Sequence, residues 1–188
     1  MAHSRIRRLT LTALTAGGFA ALALSSPAVA GAPGTESFTG VCAMSGTVRH
    51  QPPLTQQPAP TAIRGSFSGT CSGELTDRAG RTHRLDGAPA DYRVRDAGGA
   101  LSCLGGTATG TGSLLLGRGQ EIEFTLTERR PAPGLALVSL VGDDGGSATV
   151  VGTMSPSEDL VELNERCAGS GVRLVRGDAR IVSAGLSG

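Results

Sequence analysis

The chain has 188 residues, with 17 basic side chains, all of them arginine, 16 acidic ones, one tyrosine and no tryptophan. Three of the arginines and none of the acids precede Gly31, so from there on 14 basic residues face 16 acidic ones, a net charge of −2. A near-neutral surface gives no electrostatic grip on nucleic acid or anionic lipid. The shortage of aromatic rings leaves no platform for bases or sugars, and the lack of lysine removes Schiff-base chemistry.

The first thirty residues read as an export signal. Arg5, Arg7 and Arg8 form a basic start, Leu9 to Leu24 is mostly apolar, and Ala28-Val29-Ala30 supplies the small-x-small pattern of a cleavage site. The apolar run is interrupted by Thr10, Thr12, Thr15, Gly17 and Gly18, which argues against a membrane anchor. The expected mature protein is a single secreted domain, residues 31–188, with no membrane span; the Arg7-Arg8 pair leaves the general secretory and twin-arginine routes both open. Four cysteines in an exported chain imply two disulfides. Cys42, Cys71, Cys103 and Cys167 are too far apart in sequence for the paired spacing of a zinc site.

Ser37 to His50 alternates as a strand, with Phe38, Gly40, Cys42, Met44, Gly46 and Val48 on one parity. The stretch Gln51 to Pro60, with Gln51, Pro52, Pro53, Leu54, Pro58 and Pro60, reads as a long exposed connection, because proline donates no ladder hydrogen bond. Ile63 to Leu75 then sorts most sharply of all: Ile63, Gly65, Phe67, Gly69, Cys71, Gly73 and Leu75 on one face, only polar residues on the other. Its Phe67-Ser68-Gly69-Thr70-Cys71 echoes Phe38-Thr39-Gly40-Val41-Cys42, and a hairpin folded at the proline-rich stretch brings Cys42 opposite Cys71. That favours Cys42–Cys71 and Cys103–Cys167 among the three possible pairings.

A third strand is expected over Arg81 to Arg95, with Pro89 marking an edge or bulge and Asp96 to Gly99 a turn. Leu101 to Leu116 breaks near Gly105-Gly106, and Thr107 and Thr109 join Gly65, Gly69 and Gly73 as a small-residue inner face that leaves a cavity or lets sheets pack closely. Gln120 to Arg129 puts Ile122, Phe124 and Leu126 inside and Glu121, Glu123, Thr125 and Thr127 outside. Leu135 to Val141 and Ser147 to Met154 flank the Asp/Gly hairpin turn Gly142-Asp143-Asp144-Gly145-Gly146. Leu160 to Arg166 is a short strand or a single helical turn capped by Ser157, and Val172 to Ser183 supplies one or two last strands. About eight to ten strands and no convincing helix make an all-β domain, an antiparallel barrel or sandwich.

Motifs narrow the function mostly by exclusion. Gly142 to Gly146 is similar to the Gly-Asp-Ser-Gly-Gly signature of chymotrypsin-like proteases, but Asp144 replaces the nucleophilic serine. The Asp pair supplies too few oxygens for calcium, and Arg176-Gly177-Asp178 is a short adhesion-like tripeptide expected in so arginine- and glycine-rich a chain, its Gly-Asp simply turning the chain between two strand-like runs. His50 and His83 are considered as an acid–base or metal pair, and Glu121 with Glu123 as a glycosidase pair; exposed, solvated side chains are the simpler account of each. No catalytic residue, cofactor or metal ligand is assigned. The signal segment, the Ala/Gly/Arg bias and the Cys- and Gly-rich strands together resemble small secreted β proteins of high-GC Gram-positive bacteria, a resemblance that brings no site with it. The expected role is a secreted, non-enzymatic β-barrel that binds a small apolar molecule or a cell-envelope component. The alternatives are a protein-interaction or inhibitor module using the Gln51–Pro60 loop and, behind it, a hydrolase or isomerase with an unusual site.

Overall fold

In the computed structural model, residues 34–117 and 119–188 are described; the expected signal segment, residues 1–30, lies outside them. Eight strands follow in order: β1 (Ser37–Leu54), β2 (Ala59–Thr76), β3 (Thr82–Leu101), β4 (Gly106–Leu116), β5 (Gln120–Ala132), β6 (Leu135–Gly142), β7 (Ser147–Met154) and β8 (Val172–Ser187), with one helix, α1 (Leu160–Ala168), between the last two. Each strand pairs antiparallel with the next, and β8 returns to β1, so the sheet is a closed barrel and not a sandwich. Closure leaves no unpaired strand edge, and the alternation in each strand separates an interior from a solvent face.

The interior follows the period of two. Phe38, Cys42 and Met44 of β1, Ile63, Phe67, Cys71 and Leu75 of β2, and Ile122, Phe124 and Leu126 of β5 are all buried. Cys42 lies directly opposite Cys71 in the β1–β2 register, and the two are bonded. Cys103, just after β3, is bonded to Cys167 in α1. Cross-links over separations of 29 and 64 residues stabilise by about 4 kcal/mol each in the loop-entropy picture, an upper value.

The structure corrects four sequence expectations. The Gln51–Pro60 stretch is not a long loop: β1 runs through Gln51, Pro52, Pro53 and Leu54, β2 begins at Ala59, and only residues 55–58 connect them. The prolines are tolerated because the β1–β2 ladder ends at Gln51 and the β1–β8 register is interrupted between Arg49 and Leu54, so no partner needs their missing N–H. Asp96 to Gly99 is not a turn but part of a 20-residue β3. A register shift between Val94 and Asp96 moves the buried parity from Ala90 and Tyr92 to Ala97 and Leu101, as a bulge does. Leu160 to Arg166 belongs to a nine-residue helix capped by Asp159, whose carboxylate accepts from Val161 N at 2.7 Å, and not by Ser157. Finally, Arg176-Gly177-Asp178 lies within the continuous β8, with Asp178 accepting a hydrogen bond from the Ser45 hydroxyl at 2.6 Å.

The glycines of β2 serve close approach. Gly69 faces Met44 across the ladder, and a Cβ built on it would sit 2.1 Å from the Ala43 carbonyl oxygen. Thr107 and Thr109 are exposed on the outer face, while Ala108 between them is buried. The small-residue face read from these positions is therefore no cavity wall. Gly69→Ala is expected to cost about 3 kcal/mol through overpacking, seen as a lowered denaturation midpoint. Gly152→Ala, whose Cβ would meet nothing closer than 3.5 Å, is expected to leave the midpoint unchanged or raise it.

Candidate ligand-binding cavity

The two ends of the barrel differ. At one end, the base, short turns join β2 to β3, β4 to β5 and β6 to β7. Fully buried Phe38, Leu75, Leu114, Leu116, Ile122 and Leu186 fill it. At the other end, the mouth, lie the 55–58 connection, the β3–β4 and β5–β6 connections and α1. These pieces are fastened together: Cys103 N donates to the Thr55 carbonyl at 2.9 Å, and the Cys103–Cys167 bond ties that corner to the helix.

Beneath this rim the barrel is not filled. A cavity of about 130 Å³ is lined by side chains of most strands and by Leu163 of α1. Its aromatic side is a stack in which Tyr92 lies between Phe67 and Phe124, with ring centroids 5.8 and 5.6 Å apart; Phe67 and Tyr92 reach the lining. The opposite wall comes from small residues. Ala136 faces Gly152 and Gly152 faces Ala179 in consecutive ladders, so three neighbouring strands present almost no side chain at one level, and all three residues line the cavity. Gly134, Leu135 and Met154 continue the lining to the rim, where Gly134 is exposed.

Besides Thr153 and Asp178, a buried three-residue polar group interrupts the apolar lining. Continuing the β5 alternation past Leu126 places Glu128 and Arg130 on the inner face, and continuing β1 past Val48 places His50 there. Arg130 donates through Nε to Glu128 Oε1 at 2.5 Å and through Nη2 to His50 Nε2 at 3.0 Å. A guanidinium has no acceptor, so His50 Nε2 must accept; the ring is then neutral with its proton on Nδ1, a buried atom without a partner. The Arg130 and Glu128 side chains are only 15% and 10% exposed. Burial, and then the Arg130 charge, lowers the His50 pKa to about 3. Burial, and then the Glu128 charge, pushes the Tyr92 phenol up, so it stays protonated in neutral solution.

The other residues singled out by sequence lie elsewhere. His83 is at the base, where its Nε2 is 3.0 Å from Asp77 Oδ2; that hydrogen bond first, then the Arg81 N–H, holds Asp77 well below the usual carboxylate range. His50 and His83 therefore form no pair. Glu121 and Glu123 are on the outer face, both bound by Arg95, which also reaches Ser113. Asp144 accepts from Gly146 N within its turn and from the Ser187 hydroxyl. Among the described residues, no three His, Cys, Asp or Glu side chains are placed to hold a metal ion, and no helix is long and apolar enough to cross a membrane.

His50 makes stability depend on pH. Its folded pKa lies below its unfolded value of about 6.5, so the unfolded chain binds the extra proton. The stabilisation is fully present above about pH 6.5 and is lost as pH falls toward 3. Chemical denaturation between pH 6.5 and 4.5 is expected to show stability falling by up to about 1.4 kcal/mol per pH unit. His50→Gln, which keeps an acceptor for Arg130 but cannot titrate, is expected to flatten that slope.

No family model matches the chain, and neither a curated protein nor a solved structure proved similar to it. The function therefore has to be argued from the cavity itself.

Proposed function

We propose that this is a secreted, non-enzymatic carrier, a β-barrel that holds one small, mostly apolar molecule in its mouth cavity. The observation that carries the reading is the asymmetry of filling. The base is packed with large side chains, while the Ala136–Gly152–Ala179 rung leaves about 130 Å³ open beside an aromatic stack. Small barrels normally fill this space with side chains unless they hold a ligand.

Size then limits the cargo. An engineered apolar cavity of about 150 Å³ takes up benzene, whereas drug-sized ligands use pockets of about 300–1,000 Å³. The molecule is therefore of single-ring or short-chain size and not a long acyl chain. Two disulfides support work outside the cell, where they persist, and α1 is held over the mouth by one of them. The competing reading, a partner-binding loop at Gln51–Pro60, loses its long loop: four exposed residues remain, and their base is bonded to the rim.

Gly152→Leu tests the reading, because the position accepts a Cβ without a clash and points the new side chain into the cavity. Ligand-observed NMR with a panel of single-ring apolar molecules is expected to find binders for the natural chain. Their affinity should fall by at least about ten-fold, or 1.4 kcal/mol, in the variant, with no loss of thermal stability. An empty panel, or unchanged binding to Gly152→Leu, would contradict the carrier role.

A further inference from the structure

We infer that the molecule held in the mouth cavity is neutral and carries an acceptor oxygen, such as a ketone, aldehyde or ester carbonyl, that Arg130 receives. This rests on the carrier reading and narrows it to a chemical class.

Hydrogen-bond supply is the first constraint on the ligand. A guanidinium has five N–H donors. In Arg130, Nε is used by Glu128 and one Nη2 hydrogen by His50, which leaves the Nη1 pair and the second Nη2 hydrogen. Arg130 lines the cavity, and nothing on it can accept, so the group it recognises on a ligand is an acceptor. Tyr92 belongs to the same lining, and its phenol stays protonated and so keeps a donor.

Charge is the second constraint. The Arg130 cation is already balanced by the Glu128 carboxylate, and the two side chains are almost withdrawn from solvent. His50 is neutral because its Nε2 accepts from Arg130, so it supplies no second cation. A ligand carboxylate would bring a net negative charge beside the largely buried Glu128, into a cavity whose lining also includes Asp178, and an unbalanced buried charge is strongly unfavourable. A carbonyl oxygen takes the same N–H donors with no net charge. The Phe67–Tyr92 stack and the Ala136–Gly152–Ala179 rung ask for apolar surface.

Three probes of nearly equal shape separate the possibilities: ethylbenzene, acetophenone and benzoate, titrated by calorimetry or NMR into the oxidised protein at neutral pH. Acetophenone is expected to bind at least about ten-fold more tightly than either other probe, the scale of a charge-assisted hydrogen bond. In Glu128→Gln/Arg130→Met, which removes both charges together, the advantage over ethylbenzene is expected to shrink below about three-fold while ethylbenzene itself still binds. A thermal melt checks that this variant is folded, and the three-probe comparison on the natural chain stands without it. Benzoate binding as tightly as acetophenone would overturn the inference, as would equal binding of ethylbenzene; in both cases the carrier reading survives. Binding of none of the three would overturn the inference and the carrier reading together.

Discussion

Closure of β8 onto β1 is the constraint on which the rest of this structure depends. The two strands are at opposite ends of the described chain and pair along most of their length, from Ser37 with Ser187 to Leu54 with Val172. The closure is not perfectly regular: a register shift at Phe38 and Thr39 would leave polar groups exposed to the core. Ser183 repairs it, its hydroxyl donating to the Phe38 carbonyl at 2.6 Å and accepting from Leu186 N at 2.9 Å. Once the ring is closed, every strand is paired on both sides and the interior volume is set by strand number and tilt. Side-chain size alone then decides where that volume is filled and where it stays open.

The outcome is a barrel with two different halves. Large buried residues, Phe38, Leu75, Leu114, Leu116, Ile122 and Leu186, occupy the base. Gly46 and Gly69 on β1 and β2 do not create space, because the partner strand's backbone approaches closely there. The space comes from β6, β7 and β8, where Ala136, Gly152 and Ala179 fall at the same level. Opposite them, the Tyr92 stack and the Glu128–Arg130–His50 group form a firm polar and aromatic side. A buried ion pair of this kind is weak evidence for stability, since well-packed apolar residues serve a core as well or better. Its position at the edge of an unfilled space fits a recognition role more naturally than a structural one. The Cys103–Cys167 bond holds the helical rim in place over that space despite the poor apolar face of α1, in which Leu160 and Val161 are exposed.

Much of the fold was legible because a period of two survives glycine-rich composition: the core of β1, β2 and β5 can be read directly from Phe38, Phe67, Ile122 and their neighbours. What misled the reading was local chemistry that tertiary pairing overrode. Pro52 and Pro53 look like loop residues, yet they sit where both neighbouring ladders are interrupted. Asp96 to Gly99 looks like a turn, yet it is regular strand that follows a parity-changing bulge between Val94 and Asp96. Leu160 to Arg166 is short enough to suit a strand as well as a single helical turn, and it is the Asp159 cap, not Ser157, that starts the helix. In the site, Glu128 and Arg130 had a usable signal, because they simply continue the parity of Ile122, Phe124 and Leu126. A charged residue on an inner parity is worth following to the end of its strand. The Ala136–Gly152–Ala179 rung carried no such signal, since only the register between strands brings three small residues to one level.

Native mass spectrometry of the oxidised protein, taken from the medium into which it is expected to be released, tests the central claim most directly. A folded species heavier than the chain by one small neutral molecule, which is lost on denaturation, is the expected result. A folded species of the bare chain mass, with both disulfides formed and no adduct under the gentlest conditions, would contradict a carrier role for the cavity.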